Sequence, residues 1–229
     1  MKLLYKISIA CSAALMLAKE SKAQESATID SSYLNSRYEY RLDFFRKMPN
    51  QKNEIVFLGN SLTEAGKWHE LVGTKRVVNR GISGDVTYGI IARLDEVLES
   101  KPAKIFLLSG VNDMKRGIPN EVIAQNFERI IKMVKSKSPK TKLYIESILP
   151  VNEGMLSDIY AKVNNVKIHD VNKRLETLCE KHKVTYVNLH PVLSDEKEQL
   201  KKELSSDGLH LRQDAYILWV NYLKEQKFL

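Results

Sequence analysis

The 229-residue sequence predicts an α/β domain in which a mostly parallel sheet carries helices on both faces. Three observations predict it. Short apolar runs recur along the chain and read as buried strands. Amphipathic stretches of helical length separate them, the pattern of successive βαβ units. Polar, glycine-containing segments follow several of the runs, where a parallel sheet gathers its functional groups at the carboxyl ends of its strands.

The elements follow in order. Lys2 and Lys6 precede a short apolar stretch from Ile7 to Ala18, and Ser21 and Ala23 fit the small-residue positions of a cleavage site. Residues 1–23 are therefore expected to be a signal peptide, and the mature protein periplasmic or secreted. The apolar run is too short for a membrane span, which needs about 20 residues. Cys11 lies inside that run without a convincing lipobox before it. Residues 24–30 are polar and read as a flexible mature N-terminus. Apolar residues from Tyr33 to Lys47 recur at helical spacing, and Pro49 ends that helix. Strands are then expected at Glu54–Leu58, around Val77 and Val78, at Lys104–Leu108, at Lys142–Ile148 and at Val184–Leu189. Helical patterns fall near 86–99, 119–137 and 164–183, and a last helix from about Arg212 to Lys227. Residues 24–229 suit one domain.

Composition narrows the function classes. The formal charge is +8, and residues 1–23 carry four lysines against one glutamate, so cleavage would leave about +5. The lysines are spread along helix-like stretches rather than interleaved with aromatics. That is the pattern of a solvated basic surface, not of a nucleic-acid groove. After cleavage only Cys179 remains, so no internal disulfide is expected. No Cys/His spacing suggests a structural zinc site.

Four segments stand out: Gly59-Asn60-Ser61-Leu62-Thr63-Glu64, Asn79-Arg80-Gly81-Ile82-Ser83-Gly84-Asp85, Ser109-Gly110-Val111-Asn112-Asp113 and Asp207-Gly208-Leu209-His210-Leu211. Singly, each has an ordinary reading. Ser61 reads as a helix N-cap with Glu64 as its capping-box partner. Gly81, Gly84, Asn112, Asp113 and Asp207-Gly208 read as turn formers. Together and in this order, they supply a hydrolytic site. A serine hydroxyl needs an adjacent base, and a histidine titrates in the right range. Asp207, three residues before His210, is placed to orient its imidazole. The main-chain N–H groups of Ser61 and Gly84 and the Asn112 amide suit a developing oxyanion. A helix starting at Ser61 would add its dipole.

These blocks resemble those of the SGNH (GDSL-like) hydrolases. G-N-S-L-T-E is similar to the GDSL block, with Asn60 in place of the commoner aspartate. N-R-G-I-S-G-D, G-V-N-D and D-G-L-H-L resemble the glycine, asparagine and terminal Asp-x-x-His blocks. The resemblance covers nearly the whole mature chain. It implies Ser61, Gly84, Asn112 and His210 as the name-giving residues, Asp207 as the third triad member, and a flavodoxin-like three-layer α/β/α sandwich around a five-stranded sheet. The G-x-S-x-G elbow of α/β-hydrolases is absent around Ser61.

The expected activity is hydrolysis of carboxylic esters through an acyl-enzyme on Ser61, with O-acetyl esters of carbohydrates as the expected substrates and no metal or organic cofactor. The resemblance extends to exported carbohydrate acetylesterases and to platelet-activating-factor acetylhydrolase-like members. Expected partners are a small-molecule or glycan ester, with no nucleic acid and no integral membrane segment in the mature chain; the oligomeric state stays open. A lysophospholipase or thioesterase, an acyltransferase, and a non-catalytic carbohydrate-binding protein are the rival readings. Asp85 and Asp113 are expected to support their loops, and Trp68 and Trp219 to pack, with Trp68 near enough to Ser61 to line a pocket. Arg80 reads as a surface residue. His69, His169, His182 and His190 read as surface or core histidines. Pro150 to Val163 is expected as the longest irregular connection, shaping one side of the site.

Overall fold

A computed structural model describes residues 29–229. The expected signal peptide at 1–23, and most of the polar stretch behind it, lie outside the described residues. Helix α1 spans Ser36–Lys47 rather than starting at Tyr33, because the Asn35 side chain accepts the Tyr38 N–H at 2.9 Å and fixes the first turn there.

Five strands follow: β1 (Ile55–Gly59), β2 (Val77–Gly81), β3 (Lys104–Leu108), β4 (Lys142–Glu146) and β5 (Thr185–Val187). All pair in parallel, in the order β2-β1-β3-β4-β5. The longer helices between them are α4 (Thr87–Glu99), α6 (Asn120–Lys137) and α7 (Asn165–His182), and α9 (Gln213–Glu225) closes the chain. Each lies within a few residues of its sequence pattern. Short helices α2 (Ser61–Glu64), α3 (Trp68–Val72), α5 (Val111–Arg116) and α8 (His190–Leu193) have no long periodic pattern to announce them. Strand β5 is shorter than expected because the chain turns after Val187 and α8 begins at His190.

Side chains alternate between two cores, as the pleat requires. Val56, Leu58, Ile105, Leu107, Leu143 and Ile145 pack with α4, α6 and α7. Phe57, Phe106, Leu108 and Tyr144 pack on the other face with Trp68 of α3, Leu193 of α8 and Trp219 of α9. The result is a three-layer sandwich. Among the described residues no helix is long and apolar enough to cross a membrane.

The register positions the site. Gly59 pairs with Gly81 on one side and Leu108 on the other. The segments starting at Asn60, Ile82 and Ser109 therefore leave the sheet side by side at its carboxyl edge. Behind the edge, α7 supplies two asparagines to the chain leaving β4. Asn172 bonds both the N–H and the C=O of Ile148 (2.7 and 2.9 Å), and Asn165 does the same for Val151 (3.0 and 2.9 Å). They replace strand partners that the irregular backbone lacks.

Candidate active site

Ser61 is the first residue of α2, not its cap. The cap is Asn60, whose buried Oδ1 accepts the Leu62 N–H at 3.0 Å. Glu64 likewise makes no capping box and bonds Ser83 instead. Ser61 is thus free of the capping role. Helix α2 is a single turn, so it carries little of a macrodipole. The turn is held from below. The Trp68 indole donates to Thr63 O at 2.7 Å, and the Tyr216 hydroxyl to Leu62 O at 2.8 Å.

His210 reaches this turn from the other end of the chain. Its Nε2 lies 3.2 Å from Ser61 Oγ, and its Nδ1 lies 2.7 Å from Asp207 Oδ2. Nδ1–H donating to the carboxylate leaves the Nε2 lone pair facing the hydroxyl. The other carboxylate oxygen accepts the main-chain N–H groups of His210 (2.7 Å) and Leu209 (3.0 Å). Partial burial pushes the Asp207 pKa up, but these bonds outweigh it and hold the carboxyl below its ordinary value.

The loop itself is braced. Ser205 Oγ donates to His210 O at 2.8 Å and accepts the Gly208 N–H at 2.9 Å. Gly208 has φ +86°, and a Cβ there would press on Asn152 O and Met155 Cβ. Asn152 N–H returns a bond to Gly208 O at 2.8 Å. The Pro150–Val163 connection therefore flanks the histidine loop, as expected of its position. It is not the longest irregular stretch, since the connection from Ser194 to Arg212, which carries Asp207 and His210, is at least as long.

The expected oxyanion donors lie on the three segments that leave the sheet side by side. Ser61, at the start of α2, has no intrahelical acceptor for its N–H. Among the described residues the Gly84 N–H donates to no main-chain acceptor. Gly84 has φ +80°, and the space where its Cβ would stand is open. The backbone is thus exposed to a ligand, and the conformation itself favours glycine. One Asn112 amide hydrogen goes to Asp85 O at 2.9 Å, tying the asparagine segment to the glycine segment. The second remains for a ligand.

Asp85 and Asp113 lie behind these loops. Asp85 pairs with Arg93 (2.9 Å), whose guanidinium also reaches Gly59 O at 3.0 Å. Asp113 accepts the Thr87 N–H and hydroxyl, and Asn126 donates to the same hydroxyl at 2.8 Å. Burial pushes Asp85 up to about 6, against the pull of Arg93, and Asp113 up to about 7, against the Thr87 bonds.

Arg80 is buried, not on the surface: it pairs with Glu96 at 2.9 Å and covers the Phe45 ring. Trp68 lines no pocket, being 1% exposed and stacked on Phe57. Gly81 has no turn conformation to permit. Its lack of a side chain lets α2 lie directly on β2, where a Cβ would run into the Glu64 main chain. The sequence reading misassigned Glu64 and missed Arg41, Ser205 and Asn152.

Residues 57–217 match the GDSL-like lipase/acylhydrolase family, and the chain belongs to that family of ester hydrolases. Among curated relatives, an arylesterase of Vibrio mimicus is 29% identical over 153 residues, spanning 64% of this chain and 69% of the relative. Human platelet-activating factor acetylhydrolase IB subunit alpha2 is 27% identical over 152 residues, spanning 63% of this chain and 64% of the relative, which is less than two thirds of its length. A solved structure from Streptococcus pneumonia, described provisionally as a platelet activating factor, superposes with TM-score 0.77 at 33% identity, covering 83% of this chain and 92% of that one. A GDSL-like lipase of Bacteroides thetaiotaomicron shares the fold, with TM-score 0.71 at 22% identity over 84% of this chain and 98% of that one.

Proposed function

We propose that the chain is an exported esterase that removes small acyl groups, above all O-acetyl groups of carbohydrates, through an acyl-enzyme on Ser61. The observation that carries the chemistry is the hydrogen-bonded line from Asp207 through His210 to Ser61 Oγ. Ser61 Oγ attacks the ester carbonyl carbon while its proton passes to His210 Nε2. The oxyanion is held by the N–H groups of Ser61 and Gly84 and by the Asn112 amide. The carbon–oxygen bond to the alcohol then breaks, and the alcohol leaves with the proton from His210. Water attacks the acyl carbon, giving a proton to His210, and the bond to Oγ breaks. Acetate is released and Ser61 regains its proton.

The acyl preference draws on the relatives, one an arylesterase and another an acetylhydrolase by name. The carbohydrate alcohol rests on the resemblance to exported acetylesterases, and export on residues 1–23. Replacing Ser61→Ala is expected to abolish hydrolysis of 4-nitrophenyl acetate while the denaturation midpoint stays within a few degrees. Undiminished turnover by that variant would sink the assignment. The parent protein is expected to prefer 4-nitrophenyl acetate to the decanoate and to release acetate from acetylated xylo-oligosaccharides. A preference for the decanoate would support the lysophospholipase reading instead.

A further inference from the structure

We propose that Glu64 is a positioning residue through which α1 holds the oxyanion loop, so that the N-terminal helix is a working part of the site. The inference rests on the hydrolytic reading of Ser61 and Gly84.

Glu64 stands three residues after Ser61, at the end of the nucleophile turn. Its Oε2 accepts both the N–H (2.6 Å) and the hydroxyl (2.7 Å) of Ser83. Ser83 immediately precedes Gly84, whose N–H is a proposed oxyanion donor. One carboxylate thus sets the spacing between the nucleophile and the loop that must receive the oxyanion. Oε1 faces the other way, toward α1, where it meets Arg37 and lies 3.5 Å from Arg41 Nε. The Arg41 guanidinium also donates to Gly81 O, from Nε at 3.3 Å and Nη2 at 3.2 Å. Helix α1 therefore grips the glycine segment at two points, directly at Gly81 and through Glu64 at Ser83. A third contact, from the Tyr38 hydroxyl to Gly89 O at 2.9 Å, fixes α1 on α4.

The two arginines differ in weight. The Glu64 side chain is 10% exposed and that of Arg41 18%, whereas Arg37 is 51% exposed. Arg37 makes the hydrogen bond to Glu64 but is half exposed to screening solvent, whereas Arg41 is the better-buried cation and also holds Gly81 O. The charge-assisted bonds from Ser83 and Arg37 to the Glu64 carboxylate hold geometry more stiffly than neutral ones. Helix α1 lies outside residues 57–217, so the cations that neutralise Glu64 come from a part of this chain beyond the family match. An oxyanion donor displaced by a fraction of an ångström loses transition-state stabilisation without weakening ground-state binding. That distinguishes a positioning role from a merely structural one.

The test is steady-state kinetics on the full chain with 4-nitrophenyl acetate, for Glu64→Gln, Arg41→Gln, Arg41→Lys, the double Glu64→Gln/Arg41→Gln variant and a Ser61→Ala control. Active-site concentration is set by titration with diethyl 4-nitrophenyl phosphate. The expected result is a fall in kcat of about 10-fold for Glu64→Gln with KM within about twofold, since a full donor loss costs about 10²- to 10³-fold. Arg41→Lys should keep more of kcat than Arg41→Gln. The double variant should fall by less than the product of the two single losses, because Arg41 also holds Gly81 O independently of Glu64. Unchanged kcat in Glu64→Gln, a rise confined to KM, or additive losses in the double variant would overturn the clamp while Ser61→Ala remains inactive. Activity in Ser61→Ala would overturn the hydrolytic reading and the clamp together.

Discussion

Asp207 makes three hydrogen bonds at the histidine loop, one to the imidazole and two to main-chain N–H groups. It therefore fixes both the ring and the loop that bears it. Asp207→Asn preserves size but offers Nδ1 a group that also donates, which favours the wrong tautomer. The expected outcome is a loss in kcat of about 10²- to 10⁴-fold at pH 7, measured with 4-nitrophenyl acetate. Gly84 poses a different constraint. A methyl group there meets no atom within 4 Å, but φ is +80°. Gly84→Ala should therefore cost about 1–2 kcal/mol of stability through backbone strain alone. Thermal melting reads that cost, and kcat reads the accompanying shift of the N–H. At this scale the sequence was informative about residue types and silent about partners. A serine, an aspartate and a histidine were recognisable because hydrolysis restricts the residues that can perform it. Glu64 was misread because three-residue spacing from Ser61 is also the signature of a capping box. Its real partner, Ser83, is fixed only when β2 is laid beside β1.

The elements were legible where they are long. Runs such as Val56–Leu58 and Ile105–Leu108 are buried on both faces, so they leave continuous apolar signals. Helices α4, α6 and α7 leave periodic ones. Helix α2 was anticipated only from its capping residues, and α5 and α8 were not legible as helices, since periodicity cannot be read over four to six residues. Irregular backbone also left no sign of how its polar groups are satisfied. Asn172 alone serves both Ile148 N–H and Ile148 C=O. Asn172→Leu would leave both unpaired in a buried place. We expect a loss of about 2–4 kcal/mol in urea denaturation at unchanged m-value, from two groups at about 1–3 kcal/mol each with partial relaxation.

Across the whole molecule, the parallel sheet brings segments far apart in sequence to one edge. Ser61 and His210 are separated by most of the chain, yet lie 3.2 Å apart. The order of the four blocks made that edge predictable, while the buried charges beneath it were not. Glu146 ends β4 at 1% exposure, and the Trp219 indole donates to it at 2.8 Å. Burial pushes its pKa from an ordinary 4.5 up to about 8. Between those values the folded chain holds a proton that the unfolded chain has lost, so stability falls as pH rises. The slope for one such group is at most about 1.4 kcal/mol per pH unit. Asp113, pushed up to about 7, adds to the decline in the same direction. Glu146→Gln keeps the acceptor for Trp219 and removes the charge. The variant is expected to match the parent near pH 5 and to exceed its stability at pH 8, as chemical denaturation at the two pH values would reveal.

Covalent labelling identifies the nucleophile, which is expected to be Ser61. Diethyl 4-nitrophenyl phosphate should transfer one diethylphosphoryl group to Ser61 Oγ with release of one equivalent of 4-nitrophenol. Intact mass should show a single adduct, and peptide mapping should place it on Ser61. Ser61→Ala should show none. An adduct on any other residue that accompanies complete loss of esterase activity would contradict the account, as would full activity in a protein whose Ser61 is quantitatively modified.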